Sequence, residues 1–267
     1  MRVINKLDPN VYSGPVYTTN VHTHGLHISG WVDDITATIG PGEQHTYPYA
    51  LPADHAAGLH WYHSHDDGKT VLQVGGGLAG LLIVDDAADG TEIPPEVMAM
   101  PEVPLLVFDM CPDTVMLSAA SAGDAHYSYN GTAECHYLVN GYVDPILEVN
   151  AGEWNRVRML STTIRQKGSI VQFVGGDCDV LIAGRDGVYY EGGPREKNNM
   201  YFNQATRAEF LVRCRTDAEV QIAGTTRLLQ IRTVGTDDGT SLSPVRGGCN
   251  CNSSHSFARF PRQAIIF

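Results

Sequence analysis

No run of apolar residues in this chain approaches the roughly 18 needed for a membrane-spanning helix, so no segment is expected to cross a bilayer as a helix. Basic residues are few and scattered. With 18 Lys and Arg against 30 Asp and Glu, the net charge is −12. That leaves no cluster to displace counterions from phosphates and argues against a nucleic-acid partner. Charged residues make up only 18% of the chain and hydrophobic ones 43%, which excludes a disordered polymer and implies a packed core. The N-terminus, MRVINKLDPN, has neither an apolar segment nor a small-residue cleavage site, so no signal peptide is visible. Six cysteines (Cys111, Cys135, Cys178, Cys214, Cys249 and Cys251) permit disulfides without requiring them, and mildly favour an oxidising compartment. Cys249 and Cys251 stand too close for the common metal-knuckle spacing.

What is abundant is turn chemistry. Twenty-eight glycines and 14 prolines run through all 267 residues, as expected of many short strands joined by tight turns. Residues 16–24, 44–50, 58–65 and 78–84 read as strands of a first unit, spanning 1–93. The segment 94–104 is proline-rich and lacks periodicity, so it reads as a linker. A second strand-rich unit follows over 105–235, with strands expected near 105–110, 137–139, 146–149, 154–160, 210–213 and 228–234. Residues 236–267, rich in Gly, Ser, Asp and Cys, are expected to form an irregular tail. A length of 267 residues suits two such domains.

Histidine is distributed unevenly. Eight of the eleven lie within the first 65 residues, and four of these form two His-x-His pairs, His22-Thr-His24 and His63-Ser-His65. On a strand, residues i and i+2 share a face. Each pair therefore presents two imidazoles together, with Thr23 and Ser64 turned away. If the two strands are neighbours, four imidazoles converge. Neutral imidazole suits copper, zinc, iron and nickel, and copper binds most tightly of the divalent series. One such pair is weak evidence of a metal site; two, set among Gly, Trp and Tyr, are stronger. His27, His45, His55 and His60 are not expected to be ligands.

The stretch NVHTHGLHISGWVDDITATIGPGEQHTYPYALPADHAAGLHWYHSH, followed by QVGGGLAGLLIVDD, resembles the first cupredoxin domain of the multicopper oxidases, the laccase-like family. YLVNGYVDPILEVNAGEWNRVRML and LIAGRDGVYY…ATRAEFLVR resemble that family's middle domain, so the likeness covers roughly residues 1–230. The resemblance implies an all-β protein of two cupredoxin-like Greek-key β-sandwiches, with copper as cofactor. It gives His22 to the type 2 copper and His24, His63 and His65 to the paired type 3 coppers, where dioxygen is reduced. It implies an acidic proton relay at Asp34 or its neighbour Asp33, a small reducing substrate (a phenol, aromatic amine or metal ion), and a secreted or periplasmic location.

The likeness stops short of a full enzyme. No His-Cys-His strand for a type 1 copper is present; Cys135-His136 is preceded by Glu134 and lacks a following histidine. The remaining trinuclear ligands, which the family carries in its last domain, find no match at His126, His136 or His255. A piece of a longer protein, or a chain completed by a partner, is the expectation, with little four-electron oxygen reduction by the chain alone. A copper-binding or partner-dependent protein without oxidase activity is the alternative. A metal-dependent hydrolase is a remote one: Gly68 stands where a metallo-β-lactamase motif wants histidine, and no strand–helix alternation is found. A cupin would want a glutamate near Leu26-His27-Ile28.

Overall fold

In the computed structural model, the described residues are 1–10, 17–86, 92–110, 135–164, 168–224, 226–237 and 239, with the strand backbones of 115–119, 125–129 and 265–266. The first region is built from short strands: β1 (Arg2–Ile4), β2 (His22–His24), β3 (Gln44–Thr46), β4 (Gly58–His63) and β5 (Ala79–Val84). β2, β4 and β5 form one antiparallel sheet in that order. β1 pairs with β3, and on its other side with the short strand Ile265–Ile266, within the segment expected to be irregular. A small core of Val3, Val21, Ile39 and Tyr47 holds these pieces together. Gly80 of β5 is required by packing. A Cβ there would stand 2.3 Å from the Tyr62 hydroxyl, which lies across the strand.

No helical period shows in the sequence of the first region, yet α1 spans Thr70–Gly75. Six residues make under two turns, too short for a 3.6-residue period to show. The segment read as a linker carries the helical turn α2 (Pro95–Met98) and the opening of β6 (Glu102–Met110). Proline at the first helical position has no N–H to leave unpaired, so the turn starts there at little cost.

The second region is a sandwich of longer strands. One sheet pairs Ile146–Asn150, Thr226–Val234, Ala218–Ile222, Ser169–Val174 and Asn199–Phe202. The other is centred on Cys178–Arg185, Arg207–Cys214, Trp154–Ser161 and β6. Between them lies a core that includes Val157, Met159, Phe173, Phe202, Phe210 and Leu228. Cys178 and Cys214, opposite one another on adjacent strands, form a disulfide.

The strands Trp154–Ser161 and Arg207–Cys214 are buried on both faces. Alternation explains how. Val157, Met159, Phe210 and Val212 point into the sandwich. Arg156, Arg158, Leu160, Arg207 and Glu209 fall on the other face, which the first region covers. Leu160 packs there with Leu59 and Trp61 of β4. Arg156, 1% exposed, meets Asp86 at 2.5 Å and Glu209 at 2.6 Å. These buried charges are tolerable because they are paired, and removing one partner strands the other.

Candidate metal centre

Antiparallel register sets His22 of β2 directly opposite His63 of β4, and His24 opposite Trp61. Thr23, between the two histidines, is buried on the reverse face. The imidazoles converge as the alternation requires: ring centroids lie 5.3 Å apart for His22–His63, 5.8 Å for His22–His24 and 5.7 Å for His24–His63. His65, just beyond the end of β4, sits 5.3 Å from His22 and 5.8 Å from His63. One ligating nitrogen each from His22, His24 and His63 lies within 4.8 Å of the other two. Two nitrogens on opposite sides of one ion stand about 4 Å apart, so a small contraction would close this set on a metal.

The rings are held from behind. His63 Nδ1 donates to the Ser64 carbonyl at 2.8 Å, which leaves its Nε2 to face the cavity, buried and without a hydrogen-bond partner. His22 Nδ1 lies 2.6 Å from Asp33 Oδ2, so its Nε2 is likewise the free nitrogen. Ring orientation by a carbonyl or carboxylate on the far nitrogen is the usual support of a metal-binding histidine. Trp61 stacks on His63 at 4.1 Å and on His24 at 5.1 Å. Burial, aided by the Arg207 charge, lowers the His24 pKa to about 4, and burial lowers that of His63 to about 4. Both rings are therefore neutral ligands at neutral pH. An orphaned buried nitrogen among neutral imidazoles, with no thiolate, fits copper.

The two candidate acids part company. Asp33 is buried; it accepts from the Thr23 backbone at 3.0 Å and the Tyr49 hydroxyl at 2.9 Å as well as facing His22. Burial opposes its ionisation, but these bonds outweigh it and keep the carboxyl below its ordinary value. Asp34 turns away, its Oδ1 accepting from the backbone and hydroxyl of Thr36. It makes no hydrogen bond to the histidines among the described contacts. Its carboxyl is held low by Thr36.

Several supporting residues carried no signal of their own in the sequence. Asn20 Oδ1 accepts from the His65 backbone at 2.7 Å. Gln73, on α1, accepts from Thr19 at 2.9 Å and from Ser64, and so anchors the residue between the second pair. His55 accepts from the His27 backbone at 2.9 Å, a structural role. His60 is buried on the opposite face of β4. The histidines line a cleft of about 330 Å³ whose other walls are Val71 and Val74 of α1 and Thr162, Thr163, Ile164, Gln204 and Ala205 of the second region.

Residues 1–89 match the family model described as multicopper oxidase. A multicopper oxidase of Staphylococcus aureus is 33% identical over 162 residues, covering 60% of this chain and 32% of that protein. The cell division protein FtsP of Salmonella typhimurium is 28% identical over 175 residues, covering 64% and 35%. The chain thus spans about a third of the length of these relatives. The crystal structure of a multi-copper oxidase from Pseudomonas thermotolerans superposes with a TM-score of 0.69 at 21% identity, covering 95% of this chain and 57% of that one. That likeness establishes the fold: all-β, with cupredoxin-like sandwich domains. Copper is the cofactor the family implies. The chain is thus similar to multicopper oxidases, and the family-model match lies in its residues 1–89.

Proposed function

We propose that this chain supplies one histidine wall of a type 2/type 3 copper site, with His22, His24, His63 and His65 as ligands and Asp33, rather than Asp34, as the acid beside them. The observation that carries this reading is the buried, unpartnered His63 Nε2 beside His22 and His24. Copper, when bound, supplies one-electron redox chemistry and a place for dioxygen, with a small reducing substrate as electron source. The chain's own residues do the rest. Ser64 and Asp33 fix the tautomers of His63 and His22, Trp61 sets two ring planes, and the Asp33 carboxylate stands ready to hold a proton passed along Tyr49 or His22. A secreted or periplasmic location, and the division into domains at 1–93 and 105–235, belong to the same reading; no helix among the described residues is long and apolar enough to cross a membrane.

The test is a copper titration of the full chain followed by electron paramagnetic resonance, with His63→Ala alongside. Nitrogen hyperfine structure is expected in the parent and its loss in the variant, with no blue absorption in either. Equal binding by both would refute the assignment. A second reading, a partner-dependent copper protein without oxidase activity, is supported by the FtsP relatives, which are named as cell division proteins and not as oxidases. Turnover of a phenolic dye by the copper-loaded chain would reject that second reading.

A further inference from the structure

We propose that Arg207, from the second region, is a fixed buried charge that biases the histidine site toward Cu+ over Cu2+; this rests on the copper-site reading above. Arg207 opens the strand Arg207–Cys214 and is 5% exposed. Its guanidinium reaches back to the first region, where Nε donates to the Leu59 carbonyl of β4 at 3.1 Å. Nη2 donates to the Asp186 carbonyl at 2.8 Å and Nη1 to the Ala205 carbonyl at 3.2 Å. All three acceptors are neutral. The Asp186 carboxylate is a loose partner, 3.9 Å from Nη1 and 46% exposed. Arg156, by contrast, is matched by carboxylates in direct contact. The Arg207 charge is therefore poorly compensated.

Its position is set by Gly25, the residue that follows His24. Gly25 has φ +100°, and a Cβ on it would stand 2.7 Å from Arg207 Nη2. A positive charge thus rests against the backbone directly behind a ligand histidine. A fixed cation repels a bound metal in proportion to the metal's charge, so it weakens Cu2+ more than Cu+. For the couple Cu2+ + e− ⇌ Cu+, this favours the reduced side. With unit charges roughly 10 Å apart and an effective dielectric near 20, the preference is about tenfold.

The experiment measures the dissociation constants of Cu2+ in air and of ascorbate-reduced Cu+ under anaerobic conditions, each by chelator competition on the full chain. Arg207→Met, Arg207→Lys and Asp186→Asn are compared with the parent. Arg207→Met is expected to lower the preference for Cu+ by about tenfold, and Arg207→Lys to hold it near the parent value. Asp186→Asn keeps an Oδ1 acceptor for the Arg207 backbone N–H, now at 2.9 Å, while removing a negative charge. It is expected to shift the preference the opposite way. A bracing role alone would weaken both affinities together and leave their ratio fixed. An unchanged ratio in Arg207→Met, or shifts of the same sign in Arg207→Met and Asp186→Asn, overturns the proposal. If Arg207→Met does not fold, the direction of the Asp186→Asn shift decides. A parent that binds neither ion overturns the copper-site reading itself, whereas tight binding with an insensitive ratio overturns only the role of Arg207.

Discussion

The two regions of this molecule solve different problems. The second sandwich uses strands of up to nine residues around one shared core in which Phe210 and Leu228 are fully buried. The first region, in its described residues, makes do with strands of three to six residues and small clusters of buried side chains, one of them around Val3, Val21, Ile39 and Tyr47, and leans on the sandwich through Leu59 and Trp61. Its interior is spent on Asn20, Asp33, His63, Ser64 and Gln73, which hold rings in place rather than burying apolar area. The sandwich with the larger core is a platform, and the region that holds the candidate site is assembled against it.

That contrast can be broken or sharpened by substitution. The largest effect should come from the platform: Phe210→Ala is expected to cost about 3–5 kcal/mol in denaturant unfolding, with or without copper. Glu209→Ala, which leaves Arg156 and Arg158 short of a buried partner, should cost a similar 3–5 kcal/mol and loosen the two regions from each other, seen as faster hydrogen exchange in β4. In the first region, Asp33→Asn should leave unfolding nearly unchanged yet weaken copper binding by about 10–100-fold, because His22 loses the carboxylate that orients it. A smaller effect is expected from pH. Burial lowers the His60 pKa to about 4, below the ~6.5 of an unfolded chain. The unfolded state then binds the extra proton first, so stability is complete above pH ~6.5 and falls by roughly 1–3 kcal/mol as pH drops toward 4. Thermal melts of the parent and of His60→Gln across that window measure it; the variant should show the shallower slope. Smallest of all, Asp34→Asn is expected to leave copper affinity unchanged. A loss equal to that of Asp33→Asn would reverse the assignment of the acid.

Much of the site was legible because its logic is local. The alternation of a strand places His22 with His24 whatever lies around them, and the register His22 opposite His63 needs only that β2 and β4 be neighbours. The strands near 58–65, 78–84, 105–110 and 154–160 were found to within a few residues for the same reason. The choice between Asp33 and Asp34 was not legible. Adjacent carboxylates in a turn differ only in which way the backbone aims them, and that is fixed by the bonds from Thr23 and Tyr49. Gln73 was hidden on a helix too short to show a period.

By itself the sequence determined an all-β chain and two pairs of imidazoles each sharing a strand face, since period and composition act over a few residues. Only the tertiary structure decided what stands behind those rings. The guanidinium of Arg207 meets the carbonyl of Leu59 across 148 residues of chain, and that of Arg156, held by Glu209 within its own region, finds Asp86 on the other. Such contacts carry no local pattern, because two sheets must first bury their apolar faces before these groups come within reach of one another.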